Sequence, residues 1–96
     1  MATFISLLRF EAGSVRDLKE SPARLDALKQ GFKALGAEMK SFLVLMGQYD
    51  ALVIFEAADA ETAQKAAFAT FAGGIRTETM RAFTENEFKK LVASMP

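Results

Sequence analysis

Apolar positions along the chain change period several times, and each change marks an element. Thr3 to Phe10 reads as a strand that is apolar at both parities, with Ile5 and Leu7 on one face and Phe4, Leu8 and Phe10 on the other. Glu11-Ala-Gly13 breaks it. Val15, Leu18, Pro22, Leu25, Leu28, Phe32 and Leu35 then recur at spacings of three and four, the stripe of an amphipathic helix. Proline lacks an N–H and clashes with the preceding turn, so Pro22 divides this stripe into a short first segment and a main helix. Ser21 suits the cap and Pro22 the first helical position, and Gly36 supplies the stop.

Glu38 to Met46 and Tyr49 to Ala57 are two further strands, with Gly47-Gln48 between them as a tight hairpin. Asp59 caps a second helix that runs to about Ala72 on Ala63, Ala66, Ala67, Phe68 and Phe71, and Gly73-Gly74 ends it. Ile75 to Phe83 is a fourth strand. Thr84-Glu-Asn-Glu87 has the spacing of a capping box, with Phe83 and Phe88 placed as a hydrophobic staple. A last helix follows, carrying Phe88, Leu91, Val92 and Met95.

This order of elements predicts one domain spanning residues 1–96, with an α+β, ferredoxin-like βαββαβ fold, sheet order 4-1-3-2 and an added C-terminal helix. Strands 1 and 3, central in that order, are the ones apolar on both faces. Strand 4, at an edge, is polar through Arg76, Thr77, Glu78, Thr79 and Arg81. Two helices cover one face of such a sheet, and the other is commonly polar. An apolar second face predicts a homodimer or higher assembly in which sheets pack face to face. The alternative is a monomer whose last helix folds over that face.

Composition sharpens this reading. The chain has 96 residues, of which 51% are hydrophobic, with nine Phe and five Met. That is more apolar surface than a small lone domain hides comfortably. The phenylalanines fall at strand parities and helical spacings and are expected in the core. Met39, Met46 and Met80 are expected to fill gaps in the core or an interface. Twelve basic and twelve acidic residues cancel, and no basic stripe extends beyond Lys89-Lys90, so nucleic acid is not an expected partner. Cysteine and histidine are both absent, which removes disulfides, thiolate chemistry, the usual zinc sites and any histidine base. Neither a cofactor nor a metal is expected. No apolar run is long enough to span a membrane, and a cytoplasmic location is the expectation.

The strand and helix order, Lys19-Glu-Ser-Pro-Ala-Arg24, Gly47-Gln-Tyr-Asp50 and Arg76-Thr-Glu-Thr-Met-Arg-Ala-Phe-Thr84 together resemble the GYD-domain family of small bacterial proteins. The resemblance covers essentially the whole chain. It implies a ferredoxin-like protomer assembled as a dimeric α/β barrel, and it implies no particular reaction. Glu11-Ala-Gly13 departs from the more polar turn of the family at that point.

The expected topology gathers chemistry at one rim of the sheet. Strand 3 begins beside the end of strand 1 and the start of strand 4. Tyr49 and Asp50 should therefore lie near Arg9, Phe10, Arg76, Thr77 and Glu78, with the first helical segment opening near Ser14 to Arg16. One reading is a pocket for a small anionic or carboxylate ligand, with Arg9 or Arg76 as bidentate donor and Tyr49 and Thr79 as hydrogen-bond partners. A cofactor-independent enzyme of the dimeric-barrel kind, monooxygenase- or isomerase-like, is the alternative, with Asp50 or Glu78 as base and Tyr49 as acid. The plainer reading makes Arg76–Asp50 and Arg9–Glu78 ion pairs that close the sheet end, with Tyr49 at an interface. Binding or assembly without catalysis is the leading expectation.

Overall fold

A computed structural model of the chain describes residues 1–10 and 18–96. It comprises β1 (Ala2–Phe10), a 3-10 turn (Leu18–Glu20), α1 (Ser21–Ala34), β2 (Glu38–Val44), β3 (Ala51–Ala57), α2 (Ala60–Ala72), β4 (Ile75–Ala82) and α3 (Glu85–Ala93). The sheet runs β2-β3-β1-β4, and every neighbouring pair is antiparallel. This is an α+β arrangement of the ferredoxin-like kind. The turn expected at Glu11-Ala-Gly13 and the helix opening expected near Ser14 to Arg16 lie outside the described residues.

Helices α1 and α2 lie side by side on one face of the sheet. The core between them is built from Phe4 and Leu8 of β1, Ala51, Val53, Phe55 and Ala57 of β3, and Phe32 of α1. Phe55 is 0% exposed. Its ring stacks on Phe4 at 5.5 Å and meets Phe32 edge-on at 5.2 Å. Helix α2 turns Ala63, Ala66, Ala67 and Thr70 toward this core. Such small side chains let its backbone approach the strands closely. Among the described residues the buried polar side chains are Ser6 and Thr70, and both are satisfied. The Ser6 and Thr79 hydroxyls lie 2.7 Å apart, and the Thr70 hydroxyl donates to the Ala66 carbonyl.

Local signals set most element ends. Helix α1 closes with Gly36 at φ 87°, the Ala37 N–H donating to the Phe32 carbonyl and the Gly36 N–H to that of Lys33. This is the Schellman pattern, which needs a residue at home in the left-handed region. Asp59 accepts from the Thr62 N–H at the start of α2, and Thr84 and Glu87 complete the capping box of α3. Edge strand β2 carries a bulge between Met39 and Ser41, with the Lys40 ammonium 3.2 Å from Glu38 and 3.3 Å from Glu56. A bulge and charges discourage further strands from adding at that edge.

Several expectations are corrected. Ser21 is the first residue of α1, not its cap; Glu20 occupies the cap and makes no side-chain bond there. Pro22 falls in the first turn of α1, where its missing N–H would have had no partner within the helix. The β2–β3 connection is wider than a two-residue hairpin, closing where the Leu45 N–H donates to the Asp50 carbonyl. Tyr49 and Asp50 thus sit in the loop rather than in β3, because the Asp50 side chain binds β1 instead (below). Met46, at that loop, is fully exposed. Only part of the phenylalanine set is core: Phe68, Phe71, Phe83 and Phe88 are 56–64% exposed. On α2 the alanine stripe faces the sheet, which turns Phe68 and Phe71 outward.

Among the described residues no helix covers the second sheet face. Ile5, Leu7, Leu52 and Ile54 are half-buried by their own neighbours, while Leu43 and Met80 are exposed. Helix α3 buries none of its residues and does not pack on the sheet as α1 and α2 do. The Cα radius of gyration is 14.6 Å. A compact chain of this length has about 12.5 Å.

Truncating Phe55 to alanine should cost about 3–5 kcal/mol, a large share of the total for a domain of this length. Urea unfolding followed by circular dichroism measures it. A loss below about 1 kcal/mol would mean that the three-ring cluster is not the core.

Candidate functional site

The loop carrying Gly47, Tyr49 and Asp50 is tied to the end of β1 by main-chain geometry. Gly47 has φ 120°, which side-chain-bearing residues rarely adopt. That conformation turns the chain so that Asp50 meets β1 with both its backbone and its side chain. Its N–H donates to the Leu8 carbonyl at 2.8 Å, and its carboxylate accepts the Phe10 N–H at 2.8 Å. A charge-assisted bond to a strand N–H fixes the loop more firmly than a neutral contact would.

Arg9 and Tyr49 build the next layer. The Arg9 Nε donates to the Gln48 carbonyl at 3.1 Å, and its guanidinium lies 5.3 Å from the Tyr49 ring centroid, within cation–π range. The Tyr49 hydroxyl passes across β1 and donates to Glu78 Oε2 on β4 at 2.8 Å. This hydrogen bond, then desolvation and the negative charge of Glu78, hold the phenol above its ordinary value of 10.0, with Arg9 acting in the opposite direction. Tyr49 is therefore a hydrogen-bond donor throughout the neutral range.

Of the six sequence-predicted residues, Arg9, Tyr49, Asp50, Arg76 and Glu78 come together at this end of the sheet. Arg76 stands directly opposite Arg9 in the β1–β4 ladder, and Glu78 opposite Leu7, so all three occupy ladder positions of the uncovered face, although Arg76, on the edge strand, also borders a depression beside α2. Thr79 does not join them. It pairs with Ser6 on the helix-covered face, because successive strand residues alternate sides. The expected Arg9–Glu78 ion pair is replaced by an arrangement with Tyr49 between the two charges. The Asp50 carboxylate serves the main chain of β1 in place of the expected pairing with Arg76. Sequence reasoning missed the Gln48 carbonyl and the Phe10 N–H, since backbone atoms leave no mark in residue identity.

A second polar cluster lies at the opposite end of the sheet. Arg81 donates through Nη1 to the Thr3 carbonyl at 3.0 Å and to the Ala82 carbonyl, and through Nη2 to Glu87 at 3.3 Å. Its guanidinium lies 4.4 Å from the Phe83 ring centroid. The capping box signalled the role of Glu87; nothing in the sequence signalled its pairing with Arg81. The Thr84 N–H bond and Arg81 together hold the Glu87 carboxyl below its ordinary 4.5.

Two shallow depressions lie away from Tyr49. One is bounded by Phe83, Glu87, Lys90, Leu91 and Ser94, the other by Gln64, Ala67, Phe68, Phe71, Arg76 and Thr77. Among the described residues no three acidic side chains gather as a metal site would require, and no helix is long and apolar enough to cross a membrane.

The glycine–tyrosine–aspartate loop and its sheet define a recognisable class. The GYD domain profile matches residues 4–92, and the chain belongs to that family. Among solved structures, the chain is similar to TTHA0845 from Thermus thermophilus, known from a crystal structure. The two share 23% identity at a TM-score of 0.55, over 88% of this chain and 95% of that one. At that identity the likeness bears on the fold alone. No curated protein matches the chain.

Tyr49 is the only tyrosine and the chain has no tryptophan, so its ionisation can be followed directly by ultraviolet titration. The midpoint should lie above 10.0 and move down toward it in Glu78→Gln. Because the folded value is raised, the stability from this contact is fully present below 10.0 and is lost as pH rises through the folded midpoint. A wild-type midpoint at or below 10.0 would show that the Tyr49–Glu78 bond does not form in solution.

Proposed function

We propose that this GYD domain is a homodimeric assembly module that forms a dimeric α/β barrel through its uncovered sheet face and carries a small-anion subsite at the rim. The observation that carries the reading is the apolar face itself. Ile5 pairs with Ile54 on one side and with Met80 on the other, and Leu7 with Leu52, which in turn pairs with Leu43. These six side chains form one contiguous patch on which no helix among the described residues packs. Apolar surface of this kind is the usual mark of a protein interface.

The rim fits the border of such an interface. Arg9, Tyr49 and Glu78 stand at the end of the same face, where a polar edge surrounds an apolar centre. Their bonds to one another, and the bonds of Asp50 to β1, support a structural part in preference to a proton-transfer site. The anion subsite has its own support in Arg9 and Arg76, set side by side in the ladder.

Native mass spectrometry and sedimentation on the purified protein test the assembly. The wild type should be dimeric at micromolar concentration, and Ile54→Lys, which sets a charge in the middle of the patch, should be monomeric with an unchanged circular dichroism spectrum. A monomeric wild type, or a dimer indifferent to Ile54→Lys, would overturn the reading. Titration with succinate as a carboxylate probe should perturb the Tyr49 resonances in the wild type and leave them unmoved in Arg9→Gln.

A further inference from the structure

The two edges of the sheet are built differently. Strand β2 is guarded by its bulge and by Lys40 between Glu38 and Glu56. Strand β4 has neither device. Its ladder with β1 runs without a shift from Thr3–Ala82 to Phe10–Ile75, and among the described residues no fifth strand joins its outer side. A straight edge strand presents a row of main-chain donors and acceptors to any strand that approaches it.

Apolar surface lies beside the same edge. Helix α2 runs from the end of β3 to the start of β4, which brings its last turns over the Ile75 half of the edge strand. There Phe68 and Phe71, 64% and 61% exposed, border the depression that also includes Thr77. The core uses the alanine stripe of α2 and neither of these rings.

We infer that β4 is a second self-association surface: it pairs antiparallel with β4 of another copy about a two-fold axis at Thr77, joining two four-stranded sheets into one continuous sheet. The inference goes beyond the sheet-face dimer, since it uses the strand edge and the side of α2 in place of the uncovered face.

Charge selects the axis. A two-fold axis perpendicular to the sheet keeps the faces of both copies aligned, so residues opposite one another share a side and have the same parity. An axis at Arg76 or Glu78 would set like charges opposite each other, which destabilises a pair, and one at Thr79 would give neither residue an opposite charge. An axis at Thr77 sets Arg76 of each copy opposite Glu78 of the other, so two opposite-charge pairs flank the Thr77–Thr77 contact. A carboxylate accepts at both oxygens, so the Tyr49 bond to Glu78 Oε2 persists beside the guanidinium. Paired strands lie about 4.8 Å apart. Phe68 and Phe71, already beside Thr77, therefore meet the same two rings of the other copy across the axis. The pairing occupies residues 75–79 of each strand. Beyond them each strand passes Gly73-Gly74 of the other copy, which carry no side chains. Helix α3 joins β4 at the opposite end, about 17 Å from the axis. The contact is small beside the roughly 800 Å² per partner of a standard interface, so it is the weaker of the two. Dimers at micromolar concentration join in pairs when the protein is concentrated.

Because the chain has no cysteine, one substitution marks the axis. Concentrated Thr77→Cys is oxidised, and the covalent dimer is measured on a non-reducing gel. Its yield should exceed that of Thr79→Cys by about tenfold or more, because the two Thr79 positions would lie about 13 Å apart, beyond disulfide reach. Phe68→Glu combined with Phe71→Glu should abolish the Thr77→Cys link and the paired dimers seen by sedimentation at high concentration. Circular dichroism should be unchanged, because both rings are exposed within their own chain. Equal linking in the two cysteine variants, no link in a folded Thr77→Cys, or a link indifferent to the double glutamate change would overturn the edge pairing. The link should persist when Ile54→Lys removes the sheet-face contact. If Ile54→Lys leaves a dimer intact while Thr77→Cys links and Thr79→Cys does not, the edge pairing stands and the sheet-face reading falls.

Discussion

Everything in this fold follows from the pairing of β1 with β3. Both strands are apolar on both sides, and side chains alternate between faces, so the pair must bury two surfaces. The helices cover only one of them. Phe55, Phe4 and Phe32 close that side as a ring cluster, and the alanine stripe of α2 brings its backbone close above the strands. The same close approach pushes the larger side chains of α2 outward, to Phe68 and Phe71. An economical core on one face therefore creates the apolar surplus on the others.

The glycine–tyrosine–aspartate loop acts as a clamp on that pairing. Asp50 grips the end of β1 through one backbone and one side-chain bond, and Arg9 and Tyr49 lock the loop above it. Tyr49 then reaches over β1 to Glu78, so the loop that connects β2 and β3 also fastens β1 and β4 at one end. Buried carboxylates are costly, but this one sits at the sheet end, where it accepts a strand N–H. At the other end Arg81 has the corresponding part, tying β1, β4 and α3 together. The two ends of the sheet are thus fastened by polar groups, and its middle by apolar ones.

Periodicity makes the element order, most of the caps and the apolar second face legible, because those are local properties of residue type. The capping box at Thr84, the glycine stop at Gly36 and the Asp59 cap each depend on residues a few positions apart. The convergence of Arg9, Tyr49, Asp50, Arg76 and Glu78 also follows from the order of strands. Thr79 escapes that reasoning because its neighbour Glu78 lies on the other face, and one position decides the side. The hairpin escapes it because the Asp50 side chain competes with the ladder for the end of β1, a contact 40 residues apart in the chain.

The sequence by itself determined which residues form helices and strands and that the sheet has apolar residues on both sides. Spacing along the chain encodes those properties, and short-range sterics and hydrogen bonding enforce them. Only the tertiary structure decided which apolar side chains stay outside: α2 rests on alanines and turns its phenylalanines away, and α3 is anchored off the sheet by Arg81 and Glu87. A helical stripe looks the same in sequence whether its partner is the chain's own core or another surface. What distinguishes the two is how closely each element packs and where its ends are tied, and both are set by contacts between residues far apart in the chain.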